Sequence, residues 1–262
     1  MNLLDGNYRT HDVNFYLGRI AEIEGRYDVA VSHYQAVPHD GSENFLSAQI
    51  RRARILSQND GLQSSLRVLS DLLQSFPNKV AEIAIVKGEI LSDKGRHSDA
   101  MKAYDEALEV VNYDTAILYS RAMVAERIGR IDILERDLRR ILVIEPDNAE
   151  VLNALGYTLT NATDRHDEAY LLIEKAMNLR PNDFYILDSM GWVCYRLGKL
   201  HDSIRFLREA YNIEPDAEIV AHLIEVLWVD GRHDEARELW VKSIKKYPDD
   251  HRILELSDKL GL

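Results

Sequence analysis

Apolar and polar residues recur along this chain with the period of an amphipathic helix. Between residues 184 and 217, one stretch places Leu187, Gly191 and Cys194 on one face, and the next stretch does the same with Leu207 and Ala210. Apolar positions spaced three or four apart are typical of a helix that buries one side. The pattern therefore predicts two helices here, separated by a turn at Gly198-Lys199.

The same two-helix pattern returns at a nearly constant spacing. The last four prolines, at 146, 181, 215 and 248, are separated by 35, 34 and 33 residues. Two more series keep this spacing: glycines followed by Arg or Lys at 25, 95, 129, 198 and 231, and alanines at 30, 100, 169 and 236. Such a period is typical of tandem repeats that stack on one another. We therefore predict an all-α protein of tandem helix-turn-helix units.

Each predicted helix carries its own start and stop signals. Glycine ends the first helix of a unit because it adopts left-handed backbone, and proline ends the second because it lacks an N–H group. Short polar residues between the two helices are the expected N-caps of the second helix: Asp28, Ser98, Asp132, Asp167 and Asp234.

These residues resemble the tetratricopeptide repeat, whose unit has small residues at positions 8, 20 and 27, an aromatic near 24 and proline at 32. Here position 8 is small in six of seven units, and position 24 is apolar in all seven. The resemblance implies a single right-handed superhelical solenoid over 1–262. Its units lie near 11–45, 46–80, 81–114, 115–148, 149–183, 184–216 and 217–250, with a capping helix over 251–262.

The last three repeats carry a narrower resemblance, in the segments Leu152–Tyr157, Asp188–Val193 with Tyr195-Arg196, Asp216–Ile219, Ala221–Leu223 and Glu225–Trp228. These segments are similar to a group of bacterial cell-envelope tetratricopeptide proteins, commonly outer-membrane lipoproteins. One branch of that group is the partner of a carboxyl-terminal processing protease. The resemblance implies a periplasmic, outer-membrane-associated adaptor for the protease and its substrates. It also implies a C-terminal fragment, because the lipidated cysteine is missing; if the chain is complete, we expect it in the cytoplasm.

The charge of the chain excludes two classes of ligand. Its 44 acidic and 32 basic residues give a formal net charge of −12, which is the wrong sign for binding phosphates or an anionic bilayer. The sequence contains no apolar run of 18 residues and does not begin with a signal-peptide pattern. We therefore predict no nucleic-acid partner and no membrane insertion by this chain.

No set of residues in the sequence points to catalysis or metal binding. The nine histidines are spread along the chain instead of converging on an ion. Cys194 lies on a predicted buried face, and no HExxH, P-loop or GxSxG motif is present. We predict no catalytic residue, cofactor or metal site, and hence no enzyme. A regulatory part of a larger enzyme, with its catalytic domain outside this sequence, stays open.

The resemblance also implies a binding surface, the concave side of the solenoid. In that fold the first helix of each unit lines this side, at positions 2, 5, 9 and 12. Aromatic, amide and acidic side chains there suit a polypeptide segment: Tyr119, Met123, Asn153, Tyr157, Tyr185, Asp188, Trp192, Tyr195, Glu225 and Trp228. We therefore predict a non-catalytic scaffold that binds protein or peptide here, with binding that weakens in salt.

Other interpretations of the same residues stay open. Trp192, Tyr195 and Trp228 also fit simple packing between repeats. The convex face is an alternative binding surface. A second alternative is self-association through an apolar end that contains Leu3, Leu4 and Tyr8.

Overall fold

A computed structural model describes residues 10–59 and 61–261. Its described residues form 15 consecutive α-helices, with a single 3₁₀ turn at Pro77–Lys79 and no strand. The helices are α1 (Thr10–Ile23), α2 (Tyr27–Gln35), α3 (Glu43–Gln58), α4 (Leu62–Ser75), α5 (Val80–Asp93), α6 (His97–Val111), α7 (Thr115–Arg127), α8 (Ile131–Ile144), α9 (Ala149–Ala162), α10 (His166–Leu179), α11 (Phe184–Arg196), α12 (Leu200–Ile213), α13 (Ala217–Val229), α14 (His233–Lys246) and α15 (His251–Leu260). The predicted all-α class with helices in tandem is confirmed.

The chain divides into two compact units, Met1–Arg130 (unit 1) and Ile131–Leu262 (unit 2). Within each unit, consecutive helices pack as pairs, such as α5 with α6 and α11 with α12. Each first helix also contacts the first helix of the next pair, so that α9 lies against α11 and α11 against α13. One solenoid over the whole chain, and the predicted unit boundaries, stay predictions. The apolar end with Leu3, Leu4 and Tyr8 lies outside the described residues.

The turns between paired helices follow the glycine signals. Left-handed backbone occurs at a glycine in five of the seven turns, with φ between 70° and 82°, at Gly25, Gly95, Gly129, Gly198 and Gly231. A side chain at such a φ would be strained, and this explains why glycine recurs at these places. The predicted role of glycine as the stop signal of the first helix is confirmed.

The predicted N-caps of the second helices are wrong. The residue that precedes α2, α6, α10, α12 and α14 is Arg or Lys, as at Arg96 and Lys199, and its side chain makes no capping hydrogen bond. The short polar residues instead lie within the first turn, where acids favour the positive end of the helix dipole: Asp28, Ser98, Asp132, Asp167 and Asp234. Side-chain caps occur on the first helices, where Asp114 accepts a hydrogen bond from the Ile117 N–H at 2.9 Å.

Small residues let the two helices of a pair approach closely. The alanines of the repeating series are fully buried: Ala30, Ala100, Ala169 and Ala236. Ser65 stands where an alanine is expected, and it is buried as well. Its hydroxyl donates to the Ala53 carbonyl at 2.7 Å, so the substitution leaves no buried polar group unpaired.

Candidate functional site

Four first helices lie side by side in unit 2: α9, α11, α13 and α15. We call the side of these helices on which Asp188, Trp192 and Glu225 lie the first-helix surface of unit 2. Eight predicted site residues belong to it: Asn153, Tyr157, Tyr185, Asp188, Trp192, Tyr195, Glu225 and Trp228. The other two, Tyr119 and Met123, are half-buried on α7 of unit 1.

Asp188 and His222 form a buried pair that joins α11 to α13. The His222 Nδ1 atom lies 2.9 and 3.1 Å from the two Asp188 carboxylate oxygens, and the Trp192 ring stacks on the imidazole at 4.1 Å. Burial opposes a charge on His222, but the nearby carboxylates, Asp188 first among them, outweigh it and raise the pKa of His222 above its usual value. Asp188 is therefore already paired within the protein.

This pair makes the stability of unit 2 depend on pH. Because the folded-state pKa of His222 is raised, its stabilising contribution is complete below about pH 6.5 and is lost as the pH rises through the folded value. We expect urea unfolding to become easier over that range. The three tryptophans, Trp192, Trp228 and Trp240, all lie in unit 2, so tryptophan fluorescence reports on this unit.

The matched control for this pH dependence is His222→Gln, which keeps a polar side chain but cannot be protonated. The variant should lose this part of the pH dependence, and among its neighbours Asp188 is affected too, because His222 lowers the pKa of that carboxyl. The same slope in the variant and the wild type would contradict the assignment to His222.

Glu218, which is not among the predicted site residues, links three helices of this surface. The Tyr157 hydroxyl of α9 donates to Glu218 Oε1 at 2.5 Å. Arg252 of α15 donates to Glu218 Oε2 at 3.0 Å. Burial, followed by the Glu218 charge, raises the pKa of Tyr157, so this hydroxyl stays a hydrogen-bond donor at neutral pH.

Glu225 repeats this arrangement two turns further along α13. It is buried, and its carboxylate accepts a hydrogen bond from the Tyr195 hydroxyl at 3.3 Å and one from Lys259 Nζ at 2.7 Å. The carboxylates of this surface that seemed free in the sequence are thus neutralised by neighbours. Fewer unpaired charges face a ligand than the sequence predicted, and the expected salt dependence of binding is correspondingly weaker.

The accessible members of the predicted site are mainly aromatic and uncharged, since Asp188 and Glu225 are buried. Tyr185 is 61% exposed, and Trp192 and Trp228 are half-buried. The indole N–H of Trp192 donates to Asn161 Oδ1 at 2.8 Å, which holds the ring in place. Asn153 Oδ1 is buried and has no hydrogen-bond partner among the described residues.

Asp188, Glu218 and His222 are residue types that can bind a metal ion, and one ligand atom of each lies within 4.8 Å of the others. Every member is already bonded: Asp188 to His222, and Glu218 to Tyr157 and Arg252. An ion would have to displace these partners, so the hydrogen bonds within the protein are enough to explain why the three side chains lie together.

Burial raises the pKa of the Cys194 thiol to about 11, which keeps it protonated and a poor nucleophile at neutral pH.

Sequence reasoning missed the partners of the acidic site residues, although a signal for them exists. Asp188–His222, Glu218–Arg252 and Glu225–Lys259 are each separated by 34 residues. Since adjacent first helices lie side by side, residues one repeat apart become neighbours. A search for opposite charges at the repeat spacing would have found all three pairs.

Comparisons with known proteins identify the repeat type. The tetratricopeptide repeat family matches residues 81–110. The chain is 39% identical over 212 residues to the TPR repeat-containing protein PA4667 of Pseudomonas aeruginosa, an alignment that covers 81% of this chain and 36% of that protein. It is 23% identical over 185 residues to the human Protein O-mannosyl-transferase TMTC1, which covers 69% of this chain and 21% of that protein. The chain thus spans about a third or less of these two relatives.

A solved structure shows the same fold. The crystal structure of a tetratricopeptide repeat protein from Parabacteroides merdae matches with a TM-score of 0.72 at 13% identity. The match covers 96% of this chain and 99% of the other. Among the described residues, no helix combines the length and apolar character needed to cross a membrane.

Proposed function

The chain is a tetratricopeptide repeat protein, and from that premise we propose that the first-helix surface of unit 2 binds a polypeptide segment of another protein. The fold is a scaffold suited to protein–protein interaction. The observation that carries the proposal is the group of partly exposed aromatic rings held in place by hydrogen bonds, such as Trp192, whose indole N–H donates to Asn161. Rigid aromatic side chains bury a large area at little cost in entropy.

The ligand that fits this surface is an extended segment with little charge. Asp188, Glu218 and Glu225 already have partners inside the protein, so a basic peptide would have to replace them. Asn153 supplies a buried carbonyl oxygen without a donor. A backbone N–H of the ligand would satisfy this oxygen after a small rotation of the side chain. We propose that apolar side chains of the segment pack on Tyr185 and Trp192.

We further propose a role as a periplasmic, outer-membrane-associated adaptor. The resemblance of the last three repeats to envelope tetratricopeptide lipoproteins supports it, as does the related protein in the bacterium Pseudomonas aeruginosa. The proposed partners are a carboxyl-terminal processing protease and its substrates. A second candidate role, the non-catalytic part of a larger enzyme, is supported by the likeness to a human protein named as a transferase.

Affinity capture from a bacterial envelope extract tests the binding surface. We expect the double variant Asn153→Ala/Tyr185→Ala to lose at least about tenfold in affinity for the captured protein, because it removes an acceptor and an exposed ring. Among the described residues, the structure shows no side-chain hydrogen bond that either substitution would break. The variant should therefore keep the helicity and unfolding midpoint of the wild type.

Leu171→Ala is the matched control, since Leu171 is 64% exposed but lies on the second helix α10. It should capture as well as the wild type. Equal capture by the double variant would contradict binding at this surface. The affinity for the captured protein should also change little between low and high salt. A steep fall in affinity at high salt would show that unpaired charges dominate the binding. Capture of a processing protease, or of a protein that such a protease cleaves, would support the adaptor role, and capture of proteins that are neither would contradict it.

A further inference from the structure

Helix α1 carries an apolar stripe that faces away from α2 and the other described helices of unit 1. Its other face is buried, with Phe15, Gly18 and Ala21 turned toward α2 and the core. The side chains of the stripe are between 41% and 80% exposed: Val13, Tyr16, Leu17, Ile20 and Ile23. Singly exposed apolar residues are ordinary, but a contiguous stripe on one helix marks an interaction site.

The later repeats show what this face of a first helix is built to contact. Val13 and Ile20 occupy the third and tenth positions of their unit. In all six later repeats the residues at these two positions are at most 5% exposed. At the third position they are Ala48, Ile83, Ile117, Val151, Ile186 and Ile219. At the tenth position they are Ile55, Ile90, Val124, Thr158, Val193 and Val226. They are buried because a later first helix packs on the preceding pair, as α3 does on α2 and α13 on α12. The stripe therefore has the shape and chemistry to receive another helix.

The exposed area is of the size that a dimer requires. At ordinary side-chain areas, the five residues of the stripe leave roughly 500 Å² of apolar surface in water, which is in the range of functional patches. Two such stripes facing each other would bury about 1,000 Å² before any neighbouring atoms are counted, which reaches the lower limit of specific interfaces.

The spacing of the stripe also suits a two-fold axis. Val13, Tyr16, Ile20 and Ile23 are placed symmetrically about residue 18. In an antiparallel pair centred there, Val13 of one chain lies opposite Ile23 of the other, and Tyr16 lies opposite Ile20. A two-fold interface needs such self-complementarity, because the same patch serves both partners. We propose that the α1 stripe docks a second copy of this chain, with the two α1 helices antiparallel.

Sedimentation equilibrium of the chain over micromolar to high micromolar concentrations tests the proposal. We expect a reversible dimer of twice the 30.1 kDa chain mass. The variant Leu17→Glu/Ile20→Glu should weaken self-association at least about 100-fold, because it places charges in the centre of the interface. Both residues are partly exposed in the single chain, so helicity should stay unchanged. The matched control is Val143→Glu, on an exposed residue of α8 in unit 2, which should dimerise like the wild type.

Cysteine crosslinking tests the antiparallel arrangement itself. Leu17→Cys lies next to the proposed axis and should form a disulfide-linked dimer under mild oxidation. Val13→Cys should not, because the two Val13 positions lie about 15 Å apart along antiparallel helices. Cys194 is buried and is present in both crosslinking variants, so it does not distinguish between them. A monomer at every concentration would overturn the proposal, even if another protein or helix binds the stripe. A dimer that survives Leu17→Glu/Ile20→Glu, or efficient crosslinking at Val13→Cys, would overturn it as well.

Discussion

Replacing Asp188 by Ala is expected to lower the free energy of unfolding of unit 2 by about 3 kcal/mol, because it leaves the largely buried His222 without the carboxylate that binds it. Both carboxylate oxygens of Asp188 lie within 3.1 Å of His222 Nδ1, and both side chains are largely buried. The substitution also removes a link between the adjacent helices α11 and α13. Urea unfolding followed by tryptophan fluorescence measures the loss, since the tryptophans lie in this unit.

A double-mutant cycle separates the pair from the packing around it. The variant Asp188→Ala/His222→Leu leaves no polar side chain of this pair without its partner, so it should recover much of the stability that Asp188→Ala loses. Asp188→Asn should cost less than Asp188→Ala, because the amide oxygen still accepts a hydrogen bond from neutral His222. Additive effects of the two single substitutions, or a loss below about 1 kcal/mol for Asp188→Ala, would show that the two side chains are not coupled.

The fold could be predicted from the sequence because its signals are local. The glycines with positive φ and the buried alanines recur at the repeat spacing, and each acts within one helix pair. The failed N-caps show the limit of such local reasoning. Asp167 and Asp234 have the right chemistry for a cap, but the second helix already starts one residue before each of them, at His166 and His233. The backbone of the turn, and not the capping side chain, decides where that helix begins.

The site could be predicted only in part. Helical phase places eight of the predicted residues on first helices of unit 2; whether they bind a partner stays a prediction. What the phase could not show is which side chains bond to one another. Tyr157 and Glu218 are 61 residues apart and lie on helices separated by α11. Their contact depends on how three successive first helices are arranged, and no pattern within one repeat contains that information.

Replacing Gly156 by Val is the second substitution with a large expected effect, about 3 kcal/mol in the free energy of unfolding of unit 2. A Cβ atom at this position would lie 2.5 Å from Ile173 Cγ1 and 3.1 Å from the Ala169 carbonyl oxygen. Both distances are shorter than normal contact, and Ile173 and Ala169 are fully buried. Removing a glycine from a helix gains at most about 1 kcal/mol in helix propensity, so the steric cost wins.

The two contacts of Gly156 differ in how far they can relax, and this difference gives the test. The double variant Gly156→Val/Ile173→Ala removes the clash with the side chain but not the one with the backbone oxygen of α10. It should therefore stay clearly less stable than Ile173→Ala alone. Ala162→Val adds a similar side chain at the exposed end of the same helix and should change stability by less than about 0.5 kcal/mol. A Gly156→Val protein as stable as that control would mean that α9 and α10 separate easily, and that close packing at this repeat position is not what requires glycine.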